Sequence, residues 1–151
     1  MLSKKAKYAI KALLALAGRD GQEPMRIADL AREEQIPPKF LELILLGLKN
    51  HGILQSRKGK GGGYLLARAP TDIYLGQIVR MFDGPLAPVP CASQTAYVRC
   101  ADCRSEAECG VRLAMKEVRD ATARILDGTS LASLQHTVEQ ATPQPGGTPA
   151  K

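Results

Sequence analysis

Four cysteines are the residues of this chain whose type and spacing best suit chemistry. They fall within 19 of the 151 positions, and they are Cys91, Cys100, Cys103 and Cys109. Thiolates bind zinc and iron–sulfur clusters, and in a reducing compartment such a compact group is more often a metal site than a disulfide framework. A four-cysteine zinc site usually has two close pairs, whereas only Cys100 and Cys103 form one here. The spacing leaves an iron–sulfur cluster, zinc and a redox-active Cys100–Cys103 pair open.

The basic residues form a second group, and their excess is confined to the first half of the chain. Residues 1–68 hold 13 Lys and Arg against 6 Asp and Glu, whereas residues 69–151 hold 8 against 9. The first half therefore supplies the whole formal charge of +6. Such an asymmetry favours a polyanionic partner such as nucleic acid over a uniformly solvated surface.

The elements that must position these basic residues follow the order helix, helix, helix, hairpin. Apolar residues recur at helical spacing after a candidate N-cap at Ser3, and Pro38 suits the first turn of a third helix. Two extended segments, 53–56 and 63–67, flank a glycine-rich basic tip. We therefore predict a mainly α fold with a small β-hairpin wing, a winged helix-turn-helix DNA-binding domain over residues 1–83. The three helices are expected from Ser3 to about Arg19, from Met25, and from Pro38 to Asn50.

In a helix-turn-helix the second helix of the pair enters the major groove, with its first residues at the base edges. The third helix would have this role here, with Lys39 and Glu42 placed to read bases and Leu43 adding contact. A glutamate can accept a hydrogen bond from cytosine N4. Basic side chains and closely approaching glycine backbones would contact phosphates or a minor groove. The remaining predicted DNA contacts are Lys4, Lys5, Lys7, Lys49, Arg57, Lys58, Lys60, Gly61 and Gly62.

The second half of the chain combines an irregular loop with a long helix. Residues 84–105 have little periodicity and carry three of the four cysteines, so we expect a sensor loop. Ser105 and Glu108 form a capping-box pattern that predicts a helix from Glu106 to about Asp127. A heptad-like apolar stripe on this helix predicts a homodimer contact. The stripe consists of Val111, Ala114, Val118, Ala121 and Ile125. Residues 106–140 would hold this dimerisation helix and a last short helix, followed by a disordered tail at 141–151.

Four segments resemble the Rrf2 family of bacterial regulators, whose members sense iron–sulfur status, nitric oxide or iron. These segments are residues 1–9 (MLSKKAKYA), 27–31 (IADLA), 40–42 (FLE) and the wing 59–66 (GKGGGYLL), and the resemblance extends over residues 1–140. It implies a homodimeric winged-helix regulator that binds a two-fold related site on double-stranded DNA. It also implies a cysteine loop that holds a [2Fe–2S] or [4Fe–4S] cluster, while the cysteine spacing keeps zinc as the alternative.

The same resemblance assigns individual residues. The family's three cluster cysteines match Cys91 or Cys100, then Cys103 and Cys109. The histidine that completes the site in some members falls at Arg112, which cannot ligate, so the resemblance implies an all-cysteine site. Glu42 matches a family glutamate on the reading helix that takes part in base choice.

Other classes of function fit the sequence less well. No run approaches the roughly 18 apolar residues of a membrane span, so we expect no membrane partner and a cytoplasmic protein. The histidines are isolated from any Ser, Asp or Cys nucleophile arrangement, so we expect no enzyme. The alternatives to a cluster-controlled repressor are a zinc-bound or thiol-redox-switched regulator of the same fold and a winged-helix adaptor for protein contacts.

Overall fold

The structure is a computed structural model that describes residues 1–19 and 22–143. Within these residues it consists of α-helices with one two-stranded antiparallel sheet, which confirms the predicted fold class. The elements are α1 (Lys4–Ala17), α2 (Ile27–Glu34), α3 (Pro38–Asn50), β1 (Leu54–Arg57), β2 (Gly63–Leu66), α4 (Leu75–Asp83), α5 (Gly110–Gly128) and α6 (Leu131–Ala141), with short 3-10 helices at Pro70–Asp72 and Pro90–Ala92.

The first three helices pack around one hydrophobic core. The Ser3 hydroxyl caps α1 by accepting a hydrogen bond from the amide of Ala6, as its sequence position predicts. Asp83, at the end of α4, accepts hydrogen bonds from the Ser3 amide and hydroxyl, which ties the two helix ends together. Gln35 adopts a left-handed conformation (φ 55°) and closes α2 before the turn into α3. The α3 bounds, Pro38 and Asn50, are those that the sequence predicts.

The wing is joined to the helices by a backbone bridge that the sequence did not reveal. β1 pairs with β2 from Leu54 opposite Leu66 to Arg57 opposite Gly63. Met25 and Tyr64 exchange two backbone hydrogen bonds of 2.8 Å. The second helix therefore begins at Ile27 rather than Met25, because Met25 is extended and paired with β2.

The long helix begins later than the capping-box pattern predicts. Residues 106–108 form a turn, and α5 starts at Gly110, with Cys109 extended as its N-cap (ψ 108°). The Glu106 carboxylate accepts a hydrogen bond from the Tyr97 hydroxyl, so this turn is bonded to the loop before it. The predicted start at Glu106 is therefore wrong by four residues, and the loop that carries the cysteines is correspondingly longer.

The last helix packs back against the first part of the chain. α6 packs against α1 and the 3-10 helix at Pro70–Asp72, and its fully buried Leu131 joins the core. The backbones meet where Tyr74 pairs with Ser130. Residues 144–151, most of the tail predicted to be disordered, lie outside the described residues, and Ala141 still belongs to α6.

Candidate DNA-binding surface and cysteine pocket

The exposed face of α3 carries the residues predicted to read bases. Successive residues of an α-helix are rotated by about 100°, so positions 39, 42, 43 and 46 share one face. That face lies opposite the buried residues Leu41, Ile44, Leu45 and Leu48. Its residues Lys39, Glu42, Leu43 and Leu46 are all exposed. The helix therefore presents one cation, one anion and two leucines to the outside.

The basic residues of the wing are exposed to solvent, and glycines form the turn at its tip. Arg57, Lys58 and Lys60 are exposed. The Gly62 amide donates to the Gly59 carbonyl oxygen at 3.1 Å, which closes the tip. Gly62 is buried, and a Cβ there would lie 2.3 Å from the Arg57 carbonyl oxygen, so this position accepts no side chain.

Two further predicted contacts lie at the ends of helices. Lys49 Nζ, in the last turn of α3, donates to Ser56 Oγ of β1 at 2.8 Å, so this lysine links the reading helix to the wing. Lys4 and Lys5 are exposed in the first turn of α1. The structure thus joins Lys49 to the wing, while a role of Lys4 and Lys5 on DNA stays a prediction.

All four cysteines line one open pocket between the loop and the start of α5. Its volume is about 450 Å³, and Asp102, Glu108 and Arg112 also contribute to its wall. The cysteines differ in exposure, since Cys91 is buried, Cys100 is exposed and the other two are intermediate. Within residues 1–19 and 22–143, no three Cys, His, Asp or Glu side chains are arranged to hold a metal ion. The four thiols therefore line one pocket, but they are not arranged to coordinate a metal ion in this conformation.

Cys91 and Cys100 line the same pocket, and their thiols interact. A hydrogen bond with Cys91 raises the pKa of the Cys100 thiol, and the neighbouring charges of Cys91 and Asp102 act in the same direction. The redox-active pair considered from the sequence was Cys100 with Cys103, which are close in the chain. The fold instead brings Cys91 to Cys100 across nine positions.

Two arginines of α5 bind the backbone beside Cys91. Arg112 Nε donates to the Cys91 carbonyl oxygen at 3.1 Å, and Arg119 donates to the carbonyl oxygen of Ala92. Arg119 is mostly buried, with 12% of its side chain exposed. The 3-10 helix at Pro90–Ala92 is thereby attached to α5 at two points one heptad apart. Sequence analysis missed this function of the two arginines, although their seven-residue spacing places them on one face.

The predicted dimerisation stripe is uncovered in the single chain. Val111, Ala114, Val118 and Ile125 are exposed, Ala121 is intermediate, and no residue of α5 is buried. At the other end of this helix Asp127 accepts hydrogen bonds of 2.6 and 2.8 Å from Arg80 of α4. This pairing lowers the pKa of the Asp127 carboxyl and attaches α5 to the DNA-binding part.

Comparison with known proteins gives a consistent result over nearly the whole chain. Residues 2–137 match the family model Rrf2, described as an iron-dependent transcriptional regulator. The rrf2-like HTH-type transcriptional regulator of Rhodobacter capsulatus is 41% identical over 137 residues, covering 89% of this chain and 91% of that protein.

Two solved structures share the fold and belong to named regulators. The structure of CymR, the global cysteine regulator of B. subtilis, has a TM-score of 0.75 at 28% identity, covering 91% of this chain and 97% of that one. IscR of T. potens also has a TM-score of 0.75, at 25% identity, covering 97% and 93%.

These matches confirm that the protein is a regulator rather than an enzyme. None of the helices in the described part of the chain has both the length and the apolar character that crossing a membrane requires. The winged helix, the exposed reading face and the matched family agree: this chain belongs to the Rrf2 family of DNA-binding transcriptional regulators.

Proposed function

We propose that this protein is a homodimeric repressor whose binding to operator DNA is controlled by an iron–sulfur cluster on the cysteine loop. The observation that carries the proposal is the convergence of all four cysteines on one pocket whose backbone is attached to α5. DNA contact would come from the exposed face of α3 in the major groove and from the basic wing beside it.

The chemistry of the donor set fits an iron–sulfur cluster, because cysteine thiolates are its usual ligands. Cys91, Cys100, Cys103 and Cys109 would hold the group, which would supply a centre sensitive to iron, oxidants or nitric oxide. Cys100 and Cys103 lie in irregular backbone, Cys91 lies in the short 3-10 helix at Pro90–Ala92, and Cys109 is the extended N-cap of α5. Closing the loop around a ligand therefore requires no α-helix to unfold.

The signal would pass through the backbone beside Cys91. Arg112 and Arg119 hold the carbonyls of Cys91 and Ala92 against α5, so a displacement of the loop displaces the helix that carries the exposed stripe. In a dimer joined by this stripe, a rotation of α5 would change the separation of the two reading helices. Ligand binding shifts DNA affinity only to the extent that the two arrangements bind the ligand differently.

Anaerobic purification with analysis of iron, sulfide, zinc and visible absorbance tests the cofactor. We expect iron and sulfide in stoichiometric amounts, and their loss in Cys103→Ser. Ser105 lines the same pocket without a thiol, so Ser105→Ala is the matched control and should keep both. A colourless protein with stoichiometric zinc, or with no metal, would overturn the cluster proposal.

A second candidate function is favoured by Cys91 and Cys100, two free thiols that line the same pocket and interact there. In a thiol-switched regulator hydrogen peroxide would take two electrons and two protons from this pair of thiols, giving a disulfide and two molecules of water. Alkylation and mass spectrometry after peroxide treatment would then show a Cys91–Cys100 linkage and altered DNA affinity in metal-free protein. Full alkylation of both thiols after treatment would contradict this candidate.

The dimer can be tested by charging its proposed interface. Val118 is 45% exposed on α5, and Val138 is 49% exposed on α6 outside the stripe. Val118→Asp should halve the mass seen by sedimentation because it places a carboxylate in an apolar contact, while Val138→Asp should leave the mass unchanged. A dimer that survives Val118→Asp would contradict the proposed interface.

A further inference from the structure

The reading helix exposes two leucines at the centre of its outer face. Leu43 is 61% exposed and Leu46 is 46% exposed. Both point away from the core, since the buried residues of α3 occupy the opposite side of the helix. Neither leucine is therefore a core residue whose side chain is only partly covered at the edge of the core. Two large apolar side chains in this position are costly to leave in water, which indicates that they are covered in a complex.

The surroundings of the pair show what kind of partner covers it. Lys39 lies on the same face, Lys49 follows in the last turn of α3, and the exposed Arg57, Lys58 and Lys60 are on the adjoining wing. A second copy of this surface would bring like charges together, whereas a polyanion would be attracted. The only apolar group that the major groove of DNA offers at its base edges is the thymine C5-methyl.

We propose that Leu43 and Leu46 determine sequence specificity by packing against thymine methyl groups, beside a cytosine read by Glu42. This inference rests on the proposed function, in which α3 lies in the major groove. Glu42 shares the face with both leucines and can accept from cytosine N4. Each half of the operator would then carry a cytosine with neighbouring thymines on the contacted strand.

The test begins with wild-type protein and a random duplex library, from which the bound sequences are selected at fixed salt. Each thymine of the selected half-site is then replaced by deoxyuridine, which removes the methyl group and keeps the base pair. Loss of one buried methyl contact corresponds to about 0.8 kcal/mol, and we expect about fourfold weaker binding per half-site. The same substitutions are measured with Leu43→Ala and Leu46→Ala.

The expected result is a loss of discrimination rather than a loss of binding. At a thymine that one of the leucines contacts, replacement by deoxyuridine should leave the DNA affinity of the corresponding alanine variant unchanged. Leu113 is similarly exposed (48%) on α5, so Leu113→Ala should retain the full penalty and serves as the matched control.

Three outcomes would contradict either the leucine inference or the proposed function, and the measurements distinguish them. If deoxyuridine costs nothing anywhere, or costs the same in wild type and both variants, the leucine inference is overturned while DNA reading by α3 stands. If the variants dissociate a dimer and keep the discrimination, the pair contacts a second copy and the inference is also overturned. If wild-type protein selects no DNA sequence from the library, the proposed function itself is wrong.

Discussion

Replacing Gly63 by alanine tests how the wing is held against the reading unit. Gly63 has φ 145°, a region that side-chain-bearing residues rarely adopt. A Cβ there would lie 2.3 Å from the Met25 carbonyl oxygen and 2.9 Å from the Arg26 amide nitrogen. Both neighbours are backbone atoms, so β2 must move away. The two 2.8 Å hydrogen bonds between Met25 and Tyr64 would then be lost.

The expected cost follows from these contacts. Two backbone hydrogen bonds contribute about 1 kcal/mol each, and the strained backbone adds about 1–2 kcal/mol for any residue with a Cβ. Gly63→Ala should therefore lower the free energy of unfolding by about 3–4 kcal/mol. Gly59 also has a positive φ (90°) in the same wing, but nothing lies within 4 Å of its Cβ position. Gly59→Ala should lower the free energy of unfolding by only about 1–2 kcal/mol, because backbone strain is its only cost.

Urea unfolding of the two variants at one protein concentration measures the difference, because a dimer's stability depends on concentration. Amide hydrogen exchange supplies an independent reading, since the Met25 and Tyr64 amides should lose protection in Gly63→Ala and keep it in Gly59→Ala. Equal losses of stability in both variants, with both amides still protected in Gly63→Ala, would refute the reasoning.

Three further predictions concern charges at other points of the structure. Asp127→Asn should cost about 0.5–1 kcal/mol of stability, since the Arg80 pairing is more than a third exposed. The hydrogen bonds from Arg80 lower the pKa of the Asp127 carboxyl in the folded protein. The stability that this ion pair contributes is therefore complete above the unfolded pKa of about 4, and it is lost as the pH falls through the lower pKa of the folded state. Urea titrations at pH 7 and pH 3 measure this loss. Arg119→Gln should speed amide exchange around Ala92 and weaken the response of DNA affinity to cofactor loss, as exchange and anisotropy would show. Lys60→Ala should lower the slope of log affinity against log salt by about 1.8 per dimer, and an unchanged slope would count against a phosphate contact.

The part of the fold that depends on local signals could be predicted from the sequence. Pro38 and the glycine after His51 mark the limits of α3, and Ser3 marks the start of α1, because caps and helix breakers act over a few residues. The start of α5 could not be predicted in this way. The capping-box pattern of Ser105 and Glu108 is present, but residues 106–108 form a turn and Cys109 is the N-cap of α5.

The candidate sites show the same division between local and long-range information. The exposed residues of α3 follow from the helical period, so Lys39 and Glu42 could be placed on one face beforehand. The bridge from Met25 to Tyr64 joins residues 39 positions apart, and the hydrogen bond from Arg112 to the Cys91 carbonyl oxygen joins residues 21 positions apart. Such contacts depend on how the elements pack in three dimensions, which no spacing rule contains.

The pairing of Tyr74 with Ser130 has a consequence for how the molecule is divided. On either side of it the Leu75 amide bonds to the Thr129 carbonyl oxygen at 3.0 Å, and the Leu131 amide bonds to the Ile73 carbonyl oxygen at 2.7 Å. Residues 75–129, which comprise α4, the cysteine loop and α5, thus leave and rejoin the rest of the fold at one place, and Leu131 of α6 completes the core around the first helices. A fragment ending at residue 83 would lack Leu131 and expose part of its core. The winged helix and the segment that carries the cysteines should accordingly unfold in a single cooperative transition, so a substitution that destabilises either one should destabilise both.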